Sequence, residues 1–334
     1  MIDTPHLLAW LRSIASAPES ALPATLAALA APNLDWHGPC PIGALRGLGA
    51  VRARFWQPFK HAFPDLERRD DIAIAGTFET GDWVATTGYY AGTWARDWLG
   101  FPPTGQLTWI RFGEFYRVEA GRVVEARVLL DVLDVLRQGG RCPLPASPGV
   151  DGLAPGPATH DGVILSPADP AETASSLRLV EDMIFGGLRG FDGADLRSMG
   201  MERFWTAGMM WYGPCGIGAT RGVAGFERYH QRPFLHAFPD RVGGNHRARL
   251  AQGAYVASTG WPSIHATHQG DYLGHPATGR PITMVVMDWW RRDGDLLAEN
   301  WVFIDLPHLF LQFGRDLLAE ARAVGAGGSR PGPG

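Results

Sequence analysis

Two carboxylates in this chain of 334 residues are placed where a proton could be given or taken. Asp288 falls within Thr283–Arg291, a run of Val, Met and Trp that predicts a strand. Neighbours on a strand face opposite sides, so Met284, Val286, Asp288 and Trp290 share one face. A carboxylate held among apolar walls loses solvation, and its pKa climbs toward the range useful for acid/base work. Glu114, with Phe112 and Tyr116, makes the same arrangement earlier in the chain. For each, the alternative is a carboxylate paired with Arg on a domain surface. His268 is a third candidate. Paired with Asp288 it could shuttle a proton near neutral pH, whereas a purely structural His would bond a backbone group.

The correspondence of Glu114 and Asp288 belongs to a longer one. Trp36–Asp65 reads WHGPCPIGALRGLGAVRARFWQPFKHAFPD, and Trp211–Asp240 reads WYGPCGIGATRGVAGFERYHQRPFLHAFPD, a gap-free offset of 211 − 36 = 175. Downstream, Asp82–Gly88 answers Ala254–Gly260, and Leu99–Gly105 answers Leu273–Gly279. Glu125, Asp131 and Gln138 answer Glu299, Asp305 and Gln312, with 305 − 131 = 174. One domain of ordinary size is therefore present twice. His37 and Tyr212 share a repeat position beside Trp36 and Trp211; they either line a pocket mouth or anchor a loop. Trp94 stands where the second copy has His268, so any activity that needs the histidine belongs to the second copy.

The elements that must hold these groups follow from periodicity. Leu7, Leu8, Leu11 and Ile14 predict a helix over Pro5–Ala15, and Leu22–Ala31 a second. Trp36–Leu45, rich in Gly and Pro, reads as a structured loop, and Arg46-Gly47 opens a helix that Pro64 stops. Strands then cover Leu66–Ile74, Trp83–Trp94, Leu107–Val118 and Val123–Val132, the last two joined by a Gly turn, which predicts an antiparallel sheet. Gly139–Ala168, dense in Gly and Pro, reads as an extended, mobile linker. Asp169-Pro170-Ala171-Glu172 starts the second copy with an N-cap and a capping box. Its strands cover Arg241–Arg249, Ala254–His268, Thr283–Arg291 and Leu296–Asp305, before a helix over Leu309–Ala321. Asp131 and Asp305 directly precede helices and are expected to cap them. The layout is α+β, with domains at 1–138 and 169–322, a linker at 139–168 and a disordered tail at 323–334.

Composition narrows the function. A hydrophobic share of 46%, a charged share of 19% and a net charge of −4, without a basic stripe, describe a globular chain that does not bind nucleic acid. No apolar run approaches the ~18 residues of a membrane span, and the N-terminus lacks the basic start of a signal peptide, so a cytoplasmic protein is expected. Cys40, Cys142 and Cys215 show no metal-ligand spacing and read as free thiols. No P-loop, dinucleotide fingerprint or nucleophile elbow is present, so no cofactor and no metal is expected.

His236–Asp240, Ala266–Gly270, Leu273–Gly279, Arg291–Gly294, Glu299–Trp301, Asp305 and Gln312–Gly314 together resemble the SnoaL-like polyketide cyclase (ester cyclase) family, which has the fold of nuclear transport factor 2. The first copy matches through Phe63–Asp65, Leu99–Gly105, Asp131 and Gln138. The resemblance implies two cone-shaped α+β barrels, each a curved sheet around N-terminal helices with one apolar pocket. It also implies a pocket carboxylate that acts as acid/base in an intramolecular aldol closure without metal or cofactor. The family's catalytic Asp lies three residues before Asp305, where this chain has Val302, and Val128 in the first copy. A second pocket residue of the family, a His one strand earlier, falls at about Asp288 and Glu114. By the same resemblance, Ala298, Asn300, Val302 and Ile304 line the pocket.

The expected protein is thus a covalent pseudo-dimer, its domains paired through outer-face aromatics such as Trp109, Trp289 and Trp301. The expected function is a cofactor-independent acid/base enzyme of cyclase or isomerase type, acting on a small apolar, polyketide- or lactone-like metabolite, mainly in the second domain. Asp288 and His268 would act there, with Trp290, Asn300, Tyr212 and Met284 around the substrate; Glu114, Tyr116, His37 and Trp94 hold the corresponding places in the first. The alternative is a protein that binds an apolar small molecule and leaves it unchanged.

Overall fold

The computed structural model describes residues 4–326, with side chains through Val324. Repeat one begins with helices α1 (Thr4–Ser16) and α2 (Leu22–Leu29), followed by strands β1 (Ala30–His37) and β2 (Ala44–Arg46). Helices α3 (Gly47–Val51) and α4 (Gln57–Ala62) run on through a π-helical turn at Arg52–Trp56 as one rod. Strands β3 (Glu67–Phe78), β4 (Gly81–Thr93), β5 (Leu107–Glu119) and β6 (Arg122–Leu130) follow, then helix α5 (Val132–Gln138). The strand order β2-β1-β6-β5-β4-β3 makes a sheet open at both edges.

Repeat two has the same plan. Helix α6 (Pro170–Asp182) leads through short π- and 3₁₀-turns to β7 (Trp205–Tyr212) and β8 (Ala219–Arg221). Helices α7 (Gly222–Phe226) and α8 (Arg232–Ala237) enclose a π-turn at Glu227–Gln231, the same place as in repeat one. Strands β9 (Val242–Gly243), β10 (His246–Gln252), β11 (Tyr255–Thr267), β12 (Pro281–Asp293) and β13 (Leu296–Ile304) follow, with helices α9 (Leu306–Phe313) and α10 (Leu317–Ala326). The order β10-β11-β12-β13-β7-β8 repeats that of the first sheet, with β9 pairing β11.

Three expectations about secondary structure change. The segment around Trp36 is a strand where a loop was expected: β1 pairs parallel with β6, and β7 pairs parallel with β13, so neither sheet is wholly antiparallel. Pro32 and Asn33 hide β1 from a propensity reading. The capping box at Asp169 is half made: Asp169 accepts from the Ala171 N–H at 2.8 Å, while Glu172 pairs with Arg292 instead. The C-terminal helix is two helices, broken where Gly314 takes φ +93°, and α10 reaches Ala326, so the start of the expected tail is helical. The rest of that tail lies outside the described residues.

The linker is extended and docked. The Trp301 indole donates to the Pro155 carbonyl at 2.9 Å, and the Tyr89 hydroxyl accepts from Ala154 N–H at 2.7 Å. Val163 bridges Ala73, and Val150 bridges Ala219, so the strap is stitched to both repeats. Backbone groups that find partners in both domains give such a strap little freedom.

The two sheets press their outer faces together. Ile72, Ile74, Trp83 and Phe115 of repeat one meet Leu250, Met287, Trp289, Trp301 and Phe303 of repeat two in one buried cluster. Phe115 and Trp289 meet across it with ring centres 5.1 Å apart and planes tilted by 42°. Trp109 is not part of it; it lies edge-on to Tyr89 within repeat one. Polar ties are reciprocal. The Asp131 carboxylate caps α5 through Asp134 N–H at 3.1 Å and also accepts from Cys215 N–H of repeat two at 2.8 Å. Asp305 caps α9 through His308 N–H at 3.2 Å and accepts from Cys40 N–H of repeat one at 2.9 Å. Each repeated Gly-Pro-Cys loop is thus the docking point for the other repeat's capping Asp.

Candidate functional site

The interior of repeat one is full. Phe55, Trp56 and Phe59 on the helical rod pack against Tyr90, and all are buried. Glu114 is completely sealed, and each of its oxygens is used. Arg68 Nη1 lies 2.8 Å from Oε2, Tyr90 donates to Oε1 at 2.9 Å, and Tyr116 donates to Oε2 at 2.9 Å. The Arg68 guanidinium also pairs with Asp70 at 2.8 Å and lies 4.0 Å above the Phe112 ring. A carboxylate so paired, with no space beside it, is a structural ion pair rather than an acid/base group, which corrects the expectation for Glu114 and Tyr116. Trp94 is a core residue whose indole donates to Arg96 O at 3.0 Å. His37 contacts Asp35 at 3.3 Å and stands edge-on to Trp261 at the domain boundary, outside the walls of the repeat-two cavity.

Repeat two differs at the positions that fill repeat one. At the 175-residue offset, Phe55 and Trp56 give way to His230 and Gln231. Three residues past the shared motif Asp, Arg68 gives way to Gly243. Phe112 gives way to Val286 at the offset of 174. The lost bulk leaves a cavity of about 500 Å³ whose walls include His230, Gln231, Gly243 and Val286. Its sheet wall carries Asp288, Trp290, Asn300, Val302 and Ile304, the face that strand alternation assigns.

Asp288 therefore stands where Glu114 stands, without the arginine. On the sheet it sits between Ser258 of β11 and Val302 of β13. Among the described residues its one hydrogen-bond partner is Asn300, whose Nδ2 lies 3.4 Å from Oδ1 and also donates to Trp289 O at 3.0 Å. The carboxyl lies deep in the fold yet borders the cavity. Burial pushes its pKa up to about 7, and the Asn300 hydrogen bond only partly offsets this. At neutral pH the group is therefore poised between giving and taking a proton.

Five further polar atoms of the cavity wall are buried without a hydrogen-bond partner among the described residues: Trp205 Nε1, His230 Nδ1, Gln231 Oε1, His246 Nε2 and Arg249 Nε. His230 stacks on Trp211 with ring centres 4.2 Å apart. Burial lowers its pKa to about 3 and that of His246 to about 4, so both rings are neutral at pH 7. Unpaired buried donors and acceptors are rare in folded proteins, and here they converge on one space. Sequence reasoning assigned no role to His230, His246, Gln231 or Trp205. The signal was available: an aromatic pair in one repeat set against His-Gln in the other.

Three expected residues fall elsewhere. His268 follows the far end of β11, sealed against Phe313 at 3.8 Å, with Nδ1 3.1 Å from Thr278 Oγ1; it does not meet Asp288. Tyr212 points to the opposite side of the sheet, where it stacks on Trp301 and donates to Glu299 at 3.3 Å. Met284 is buried in the core beyond the cavity wall. Alternation fixed the face of Met284 but not its distance along the strand, and Tyr212 lies on β7, a strand that the sequence reading did not foresee, so its face was not assigned.

Among the described residues no group of three or more His, Cys, Asp or Glu could hold a metal ion. No helix among them is long and apolar enough to cross a membrane. The family model described as SnoaL-like polyketide cyclase matches residues 10–139 and 194–313. Among solved structures, the chain is similar to IdmH of Streptomyces antibioticus, at 28% identity over 42% of this chain and 99% of that one, with a TM-score of 0.33. AclR of Streptomyces galilaeus matches at 22% identity over 42% and 97%, with a TM-score of 0.34. A SnoaL-like polyketide cyclase of Agrobacterium tumefaciens matches at 20% identity over 42% and 100%, with a TM-score of 0.33. No curated relative matches the chain. With a domain match in each repeat, the chain belongs to the SnoaL-like polyketide cyclase family and carries that family's domain twice.

Proposed function

We propose that the chain is a cofactor-independent acid/base enzyme of cyclase or isomerase type, with its active site in the cavity of repeat two. One observation carries this reading: Asp288 keeps the carboxylate position of Glu114, but loses the arginine and gains open space beside it. In the proposed reaction the ionised Asp288 removes a proton from carbon next to a substrate carbonyl, leaving an enolate. The enolate carbon either closes on a second carbonyl of the same molecule or is reprotonated at another position. Asp288, now protonated, returns its proton to the alkoxide or the carbon. Asn300 holds the carboxyl in place; the Trp205 indole N–H and the neutral rings of His230 and His246, in the matching tautomers, can donate to a substrate's oxygens, and Gln231 Oε1 can accept from a substrate hydroxyl. Trp290, Val286 and Ile304 give the apolar walls.

Val302 lines the cavity at the place where the family resemblance puts a catalytic Asp, and this favours a second reading, a binding protein that transforms nothing. Deuterium exchange separates the two. Enolisable aryl ketones and β-keto lactones are incubated with the protein in heavy water and followed by proton NMR. General acid/base groups contribute about 10²–10⁴-fold, so Asp288→Asn should slow catalysed exchange at least about 100-fold while ligands still bind. Exchange by the variant at the wild-type rate, or binding without any exchange, would refute the enzyme reading.

A further inference from the structure

The cavity's mouth differs in charge from its floor. Arg189, Arg241 and Arg249 line it around the half-exposed ring of Phe185. Arg249 pairs with Glu181 at 3.1 Å through Nη1, but its buried Nε has no partner. Arg241 is half-buried and, among the described residues, donates only to the Leu188 carbonyl, at 3.5 Å, while its guanidinium lies near the rings of Phe191 and Phe234. Arg189 lies 4.5 Å over Phe185. Neither Arg189 nor Arg241 has a carboxylate partner among the described residues. The mouth therefore has three cations and one paired anion.

The two repeats show that this charge is not inherited from the scaffold. At the 175-residue offset Arg241 replaces Leu66. Arg249, which pairs with Ser258 on the sheet, replaces Ala73, which pairs with Thr86, the counterpart of that serine. Leu66 and Ala73 are both buried in the closed repeat. Cations thus occur at these places only in the repeat that has a cavity. Withdrawing a guanidinium from water without an anion is unfavourable, and burial indeed lowers the pKa of Arg241. A bound anion would remove that penalty, and Arg is the side chain best shaped to grip a carboxylate.

We propose that the molecule this cavity takes is an apolar ring system that carries a carboxylate, its charged end held at the mouth by Arg189, Arg241 and Arg249 and its ring against Trp205, Trp211 and Trp290. The proposal rests on the cavity being the substrate site, and it names the substrate class. The carboxylate fixes which end enters first, so the uncharged end is the one that reaches Asp288. This arrangement keeps two like charges apart, because an anion at the floor would face a forming Asp288 carboxylate.

The test needs no turnover. Quenching of tryptophan fluorescence is titrated with naphthalene-2-carboxylate and anthracene-2-carboxylate, and with the matching carboxamides, at pH 7.5 and low salt. The acids should bind at least tenfold more tightly than the amides, and the preference should shrink with added salt. In Arg241→Gln and in Arg189→Gln with Arg241→Gln it should fall to about twofold or less, while amide binding is unchanged. Asp288→Asn should keep the full preference. Equal binding of acid and amide, a preference that survives the double variant, or no binding of either overturns the proposal. Loss of exchange in Asp288→Asn with no acid preference would sink the substrate class alone and leave the acid/base reading standing.

Discussion

Asp288→Asn tests the ionisation state on which the catalytic reading depends, through stability rather than rate. In the unfolded chain an aspartate titrates near 3.9, while the folded carboxyl titrates at about 7. An acid with a raised folded pKa is protonated in the fold over a window where the unfolded chain has already lost the proton. Between about pH 4 and 7 the unfolded state binds fewer protons, so stability falls as pH rises through that window and levels off above it. About 3 units at 1.36 kcal/mol each give a penalty of roughly 4 kcal/mol at pH 7.5. Asn is isosteric and uncharged, and removes the penalty. For 334 residues the unfolding entropy is about 0.7 kcal/mol/K, so the variant should melt roughly 6 °C above wild type at pH 7.5 and only about 1–1.5 °C above it at pH 4.5. The assay is a melting series by circular dichroism on both proteins at four pH values. A difference that does not grow with pH, or a variant less stable at pH 7.5, would show that the Asp288 carboxylate is stabilised in the fold, and the argument for a poised acid/base group would fail.

Other predictions follow from the comparison of the repeats. Glu114→Gln breaks the Arg68 ion pair and should destabilise by about 3–5 kcal/mol, read by urea denaturation, without changing ligand affinity in repeat two. His268→Gln should leave Asp288-dependent exchange and its pH profile unchanged, since the ring is packed on Phe313 outside the cavity. His230→Phe with Gln231→Trp restores the filling of repeat one and should abolish ligand quenching while raising the melting temperature, because two unpaired polar groups leave the interior. Asp131→Ala and Asp305→Ala should each cost about 1–2 kcal/mol, and similar amounts, since each removes one helix cap and one bond to the opposite repeat.

Much of this was legible in the sequence, for identifiable reasons. The duplicated motif announces two domains because whole loops recur without a gap. Alternation places Asp288 with Val286 and Trp290, and Asn300 with Val302, because a pleated strand leaves no freedom in which neighbours share a face. Alternation is silent on which pocket is open. Glu114 and Asp288 look alike along their own strands, and their difference lies in Arg68 and Gly243, which arrive from another strand of the sheet. His268 was misplaced for a related reason. Its place in the motif puts it beyond the end of β11, while Asp288 lies mid-strand on β12, and a chemical pairing of His with Asp says nothing of distance along the sheet. Reading the repeats against each other by difference, rather than by agreement, would have pointed to Phe55 and His230, or Arg68 and Gly243, as the positions where the copies changed tasks.

That contrast explains why a repeat with a packed interior is kept. The outer face of repeat two presents Leu250, Met287, Trp289, Trp301 and Phe303, and such a face exposed to water would promote aggregation. Repeat one covers it, and Gly113 makes the approach possible, since a Cβ there would lie 2.9 Å from the Trp289 ring. Pairing through this face leaves both interiors free to diverge. Repeat one has used its interior for packing and a fully satisfied ion pair, which stabilise the assembly. Repeat two has done the reverse, giving up aromatic bulk and a charge partner for unpaired polar groups and a neutralised carboxylate, each of which weakens the fold. A lone domain with that interior would have to carry the whole deficit itself. Within one chain the deficit is offset by a closed partner whose place is fixed at both ends by Asp131 and Asp305.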